Sequence, residues 1–205
     1  MKTYKPSSAK GFTLIELIIT VAVISTVMIG ATAVMPGLVK DSRADASSAI
    51  LLNALRLARD RAIGERRNMD VIFIAPNEVK IVREEIVYNS VTKTWGSSPT
   101  EPSNPTIMDV FLEDNQRFQY FTGMDDTPDK FGRINVPVAF PPLSVVTPTI
   151  MFTSEGTLVD VGGDPINGTV FLGTGGDVTS ARAITIFGPT AAVRLWKWNG
   201  KKWME

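Results

Sequence analysis

The 205-residue chain contains no cysteine and no histidine. Disulfides are therefore excluded, as are zinc sites built from these ligands and any Ser-His or Cys-His nucleophilic pair. Net charge is also absent, because 21 basic residues balance 21 acidic ones. The balance is not uniform. Residues 1–16 carry +2, residues 40–67 carry +3 and residues 68–205 carry −5. An acidic body argues against broad nucleic-acid binding by its whole surface. No internal repeat and no long low-complexity tract is present. Paired carboxylates are lacking in any catalytic sense. Glu84-Glu85 and Asp125-Asp126 are sequence neighbours, and neighbours on a strand point to opposite faces, so they read as solvated faces or turns. Gly173-Thr174-Gly175-Gly176 precedes no helix pattern, so it reads as a turn and not as a phosphate cradle. The chain is expected not to be an enzyme and to need no cofactor.

What is present is a long apolar run. Leu17 to Val39 holds no charged residue over 23 positions. At ~1.5 Å per residue such a helix reaches ~34 Å, enough for the ~30 Å hydrocarbon core of a bilayer. A membrane span over about residues 14–39 is expected. Lys2, Lys5 and Lys10 precede it, which places the N-terminus in the cytoplasm and the C-terminal body beyond the membrane. Glu16 stands at the start of this stretch. An ionised carboxylate near hydrocarbon is costly and marks a functional position unless it snorkels to the headgroups. A cleavable secretory signal ending at Ala31-Thr32-Ala33 is the competing reading. The acid inside the apolar region and the apolar residues beyond that point speak against it.

Lys10-Gly11-Phe12-Thr13-Leu14-Ile15-Glu16-Leu17 and the run behind it resemble the class III signal of type IV pilins and type II secretion pseudopilins. The resemblance implies a leader, residues 1–11, removed by a prepilin peptidase between Gly11 and Phe12, with methylation of the Phe12 amine. It further implies that Glu16 of one subunit meets the Phe12 amine of its neighbour and sets register in a helical filament. Physically, Gly11 lets a protease approach the backbone, and a carboxylate one turn from a fresh amine offsets the desolvation of both.

After Pro36-Gly37, where a kink or melted turn is expected, the helix pattern resumes. Asp41, Ser42 and Asp45 are candidate caps. Ala46, Ala49, Ile50, Leu51, Ala54, Leu57, Ala58 and Arg61 form the expected core stripe, and Gly64 suggests the end. From about residue 67 the period changes to two. Expected strands are 71–74, 79–88, 107–112, 117–121, 149–153, 157–159, 168–172, 182–187 and 192–198, with loops over 97–105 and 137–148. The fold class is α+β: a long N-terminal membrane helix over 12–66, continuing into an amphipathic half packed on an antiparallel β-rich head over 67–205. Leu51 to Arg59, Phe152-Thr153-Ser154-Glu155-Gly156, and Ile184-Thr185-Ile186-Phe187-Gly188 with Val193-Arg194-Leu195 are similar to the H-type, FimT-like minor pseudopilins. That resemblance implies a tip-region structural subunit of a type II secretion pseudopilus in the inner membrane, with the head in the periplasm. Its partners would be other pilins or pseudopilins, the prepilin peptidase, the inner-membrane assembly platform and exoprotein cargo. The alternative is a FimT-like minor pilin of a type IV pilus, serving adhesion or DNA uptake.

Two further stretches carry possible chemistry. Asn199-Gly200 suits a two-residue type I′ turn, pairing Trp198 with Lys201, Lys197 with Lys202 and Trp196 with Trp203. The hairpin then groups Trp196, Trp198 and Trp203 on one face with Arg194. Together with Lys197, Lys201 and Lys202 these residues suit phosphate contacts and base stacking. The plainer reading is a terminal hairpin that closes the sheet and shields its edge with lysines, and a protein-partner face is the third. Asp125, Asp126 and Asp129 cluster oxygen ligands of the kind calcium favours, without the spacing of an EF-hand loop.

Overall fold

The computed structural model describes residues 11–97, 103–113, 115–141, 149–160 and 162–205, excepting the side chains of residues 30–38, 95 and 97. The expected leader up to Lys10 and parts of the 97–105 and 137–148 loops lie outside these, as do the side chains of the competing Ala31-Thr32-Ala33 site. The chain forms two compact units, Met1–Val39 and Lys40–Glu205. One helix, α1 (Leu14–Glu65), contributes to both.

In the first unit the described side chains of α1 are exposed on every side, from Leu14 at 78% to Ile29 at 71%. An apolar helix without a polar face needs an apolar surrounding. Among the described residues no helix is long and apolar enough to cross a membrane; the expected span of 14–39 includes residues 30–38, whose side chains are not described. α1 continues through Pro36 and Gly37. The expected melted turn is absent there, because a proline removes one donor and the turns on either side keep theirs.

In the second unit α1 buries Ala44, Ser47, Ser48, Leu51, Ala54, Leu55, Ala58 and Ala62. The stripe is rotated from the expected one: Ala49 and Arg61 are exposed, and two serines take core positions. Their hydroxyls find partners. Ser48 Oγ donates to Asp45 O at 2.8 Å, and Ser47 Oγ accepts from Glu113 N at 3.0 Å. Asp41 and Asp45 lie inside α1 and cap nothing. The helix ends with Arg66 in the left-handed region, φ 52°. Arg67 N bonds Ala62 O at 3.1 Å and Arg66 N bonds Ile63 O at 3.4 Å, the paired closure known as a Schellman motif. Gly64 is part of the last turn.

Among the described residues thirteen strands follow: β1 (Met69–Ile74), β2 (Glu78–Arg83), β3 (Ile86–Asn89), β4 (Thr94–Ser97), β5 (Thr106–Phe111), β6 (Gln116–Phe118), β7 (Val138–Ala139), β8 (Thr149–Phe152), β9 (Leu158–Val159), β10 (Gly168–Thr174), β11 (Arg182–Phe187), β12 (Ala192–Trp198) and β13 (Trp203–Met204). They make a five-stranded sheet in the order β5-β2-β1-β8-β9 and a six-stranded one running β13-β12-β11-β10-β6, with β7 beside β10. The strand expected over 79–88 is two strands. β2 pairs β1, whereas β3 turns away to pair β4 in a hairpin of its own. The strands expected over 107–112 and 117–121 are the shifted or shortened β5 and β6, and the connector expected over 137–148 contains β7.

One cluster joins the α1 stripe to both sheets through Met69, Val71 and Phe73 of β1, Val170 and Leu172 of β10, and Ile184 and Ile186 of β11. Each such fully buried side chain contributes ~1.5–3 kcal/mol. A second cluster lies on the other face of the six-stranded sheet: Phe121, Met124, Phe171, Ala183, Trp196, Trp198 and Trp203. β11 is therefore covered on both faces: Arg182 lies on the α1 side, where it meets Asp45, and Thr185 on the tryptophan side, where it accepts from Trp196 Nε1.

Candidate functional site

At the N-terminus, Thr13 and Glu16 form a reciprocal cap. Glu16 N donates to Thr13 Oγ1 at 3.3 Å, and Thr13 N donates to Glu16 Oε2 at 3.5 Å. This is a capping box, and it sets the first turn of α1 at Leu14. Thr13 was legible as Thr-x-x-Glu ahead of an apolar run, yet the sequence reading weighed only Glu16. Phe12 is 82% exposed. At Gly11 an added Cβ would meet nothing within 4 Å among the described residues.

The C-terminal hairpin differs from expectation in its register. Trp198 pairs with Trp203 and Lys197 with Met204, which leaves a four-residue loop over 199–202. The Asn199 side chain is the cause. Its Oδ1 accepts from both Lys201 N and Lys202 N at 2.9 Å, and Gly200 takes φ 91°. An Asx-type turn replaces the I′ turn because the side chain bonds the backbone two and three residues on. The shift places Trp198 and Trp203 edge to face, ring centroids 5.2 Å apart. All three tryptophans do share one face, but each is buried to 7% exposure. Trp196 Nε1 donates to Thr185 Oγ1 at 3.0 Å and Trp203 Nε1 to Asp125 O at 2.9 Å. Rings so enclosed offer no free face for stacking bases. Lys201 and Lys202 remain exposed, and Arg194 and Lys197 are engaged in ion pairs.

The acidic loop is organised by these same residues. Asp129 accepts from Arg194 Nη1 at 2.9 Å and from Thr185 Oγ1 at 2.6 Å. Asp126 accepts from Thr127 N at 2.7 Å and Gly132 N at 3.0 Å. Among the described residues no group of three acidic side chains is placed to hold a metal. The Asp125, Asp126 and Asp129 cluster is thus a set of loop anchors; Asp125 contributes its carbonyl.

Two charged positions escaped the sequence reading. Arg182 is fully buried, with Nε on Asp45 Oδ1 at 2.6 Å, Nη2 3.5 Å from Asp41, and Nη1 on the Thr179 and Ala181 carbonyls at 3.2 and 3.1 Å. Asp45 also meets Lys197 at 3.6 Å. Asp70 is fully buried on β1, with neither carboxyl oxygen hydrogen-bonded. Burial, followed by the nearby Glu84 charge, pushes its pKa up to about 7. Glu84 itself is buried and accepts from Asn68 Nδ2 at 2.9 Å, so the solvated reading of Glu84-Glu85 does not hold for its first member. A polar residue inside an apolar strand pattern was the available signal for both Arg182 and Asp70.

The family model of the prokaryotic N-terminal methylation motif matches residues 6–32. The chain carries a prepilin-type methylation motif. No curated protein matches the chain. Two solved structures resemble the methylation-motif protein at low similarity, both of the minor pseudopilin EpsH from the type II secretion system of Vibrio cholerae. One is 13% identical with a TM-score of 0.41, covering 76% of this chain and 97% of that one. The other is 15% identical with a TM-score of 0.39, covering 82% and 98%. The motif spans Gly11, Phe12, Thr13 and Glu16, the residues that open α1. The described side chains of its helix in the first unit are exposed.

Proposed function

We propose that this protein is a minor pseudopilin, a structural subunit of a type II secretion pseudopilus. The leader is cut after Gly11, Phe12 becomes the methylated N-terminus, and the apolar half of α1 holds the chain in the inner membrane with the head in the periplasm. Assembly draws that helix into a filament of similar helices, where Glu16 meets the amine of a neighbouring Phe12 and sets register. The head then sits near the filament tip. The work is mechanical, with no substrate turned over. The carrying observation is the methylation motif set directly on an apolar helix exposed on all sides, with its one carboxylate a turn from the expected new amine.

Intact-mass analysis of the membrane-extracted protein tests this. The expected mass starts at N-methylated Phe12, and a Gly11→Leu variant keeps its leader. A wild-type chain starting anywhere else overturns the reading.

A FimT-like minor pilin is the second reading, favoured by the exposed Lys201 and Lys202 on the terminal loop. Since the tryptophans are enclosed, DNA would be held there through phosphates alone. Gel shifts comparing the parent with a Lys201→Ala, Lys202→Ala double variant separate the two readings. Loss of a salt-sensitive shift supports the pilus, and no shift by the parent removes it.

A further inference from the structure

β12 runs antiparallel to the part of α1 beside it. Val193 shares a cavity with Arg56 and Arg59, and further along the strand Lys197 Nζ lies 3.6 Å from Asp45 Oδ2. The strand thus descends α1 toward Lys40, the first residue of the second unit, which pairs with Asp177 at 3.7 Å. Along the helix axis Asp45 stands about 8 Å from Lys40. Two more residues of strand, at ~3.3 Å each, bring β12 back to that level. The 199–202 loop therefore sits level with the point where α1 enters the unit.

Between this loop and the 125–134 segment opens a cavity of about 560 Å³, within the about 300–1,000 Å³ of small-ligand sites. Ile134, Trp198 and Trp203 give it apolar walls, and Ile134 is 68% exposed. Lys130, Lys201 and Lys202 line it as well, and among the described residues no acid pairs with their side chains. Its two acids are unequal. Asp126 spends one oxygen on Thr127 N and the other on Gly132 N. The Asp125 carboxylate has no hydrogen bond or ion pair among the described residues, because it is the carbonyl of this residue that Trp203 holds. Three unpaired cations and one unpaired carboxylate thus share a cavity with an apolar wall. Every lining residue lies at or before Trp203, and β13 then carries the chain toward the Ala192 end of β12.

We propose that this cavity binds the headgroup of a zwitterionic phospholipid with a primary ammonium, a phosphatidylethanolamine. The phosphate pairs with the lysines, the ammonium donates to the Asp125 carboxylate, and the start of the acyl chains lies against Ile134 and the tryptophans. The mixture of signs selects this headgroup. A purely anionic one leaves the Asp125 carboxylate unmatched, and a quaternary ammonium has no N–H to donate to it. Tryptophan and lysine are also the side chains that combine an apolar body with a polar tip at headgroup level. The inference rests on the membrane placement proposed above: with the apolar half of α1 held in the bilayer, Lys40 is the first residue past it, and headgroups are the ligands within reach of the loop.

The test titrates dihexanoyl phosphatidylethanolamine into the full chain in a nonionic detergent, beside its choline and glycerol counterparts and glycerophosphoethanolamine, which lacks acyl chains. Binding is read as slowed amide exchange over residues 125–132 and 199–203. The ethanolamine lipid is expected to bind saturably and about tenfold more tightly than each of the other three. Asp125→Asn is expected to remove its preference over the choline lipid while leaving the weaker binding that both share. A Lys201→Ala, Lys202→Ala double variant is expected to weaken all three lipids about tenfold. Both variants keep the wild-type tryptophan fluorescence, because Asp125 holds Trp203 through its carbonyl and the two lysines are exposed. Equal binding of the choline or glycerol lipid, an unchanged preference in Asp125→Asn, or no saturable binding overturns the proposal. So does equal binding of glycerophosphoethanolamine, which would make the ligand a soluble phosphate ester, or stronger protection of the same amides by a single-stranded oligonucleotide. The assay does not depend on cleavage after Gly11, so the site and the proposed function fail separately.

Discussion

Arg182 Nε donates to Asp45 Oδ1 at 2.6 Å across 137 residues of sequence, joining the innermost strand of one sheet to the helix that opens the chain. The arginine is wholly buried, while the Asp45 side chain is 54% exposed. The two ends are thus unequal, since losing the acid leaves a buried cation behind. Removing one partner of a fully buried pair costs about 3–5 kcal/mol. Water at Asp45 reduces that, so Asp45→Ala is expected to cost about 1–3 kcal/mol. Urea denaturation followed by tryptophan fluorescence measures it. A change within a few tenths of a kcal/mol would mean that Asp41 and the Thr179 and Ala181 carbonyls suffice.

Asp70 makes stability depend on pH in a stated direction. Its folded pKa, about 7, lies above the ordinary 3.8, so the folded state holds the proton more tightly. The associated stability is fully present below about pH 4 and is lost as pH rises to about 7, with little further change above. The shift corresponds to on the order of 4 kcal/mol across that window. Asp70→Asn is expected to flatten the profile and to be more stable than wild type at pH 8. Parallel denaturation at pH 4.5 and 8 reads the difference, and equal pH slopes in the two proteins would remove Asp70 as the cause.

Trp203 ties the last strand to the acidic loop. Its ring meets Trp198 and Phe171, and its Nε1 donates to Asp125 O. Truncating a buried aromatic costs about 3–5 kcal/mol. Trp203→Ala is expected to fall near the lower figure, because the strand is at a sheet edge, and to speed amide exchange through residues 125–132. Unchanged exchange there would show that Asp126 and Asp129 hold the loop alone.

Glu16 caps α1 and, in the function proposed above, would also pair with a neighbouring amine. Glu16→Gln keeps an oxygen that can close the capping box with Thr13 but removes the charge that this proposed pairing uses. The Gln variant is expected to be processed and inserted normally yet to enter filaments poorly. Thr13→Ala, which removes only the cap, is expected to cost about 0.5–2 kcal/mol of helix stability with assembly retained. Normal incorporation of the Gln variant, scored by shearing and blotting, would assign Glu16 to capping alone.

The β-rich body was legible because period two survives in single strands. The strands expected at 182–187 and 192–198 match the observed bounds. Errors arose where a local signal met a longer-range one. Asn-Gly indicated a two-residue turn, but the Asn199 side chain and the Trp198–Trp203 contact outweighed it and moved the register. The expected stripe on α1 left out Ser47 and Ser48; Ser47 is buried with a partner, Glu113, that only the fold brings near. Glu84 read as solvated for the same reason, its Asn68 partner being fixed by strand pairing.

By itself the sequence determined the methylation motif, the capping box and the alternation from helix to strands. Each depends on residues within a few positions of one another, whose chemistry is complete before the chain folds. Only tertiary structure decided that the tryptophans face inward and that Arg182 of β11 is buried against Asp45 of α1. Those features depend on which distant segments exclude water from one another, and no local pattern encodes that.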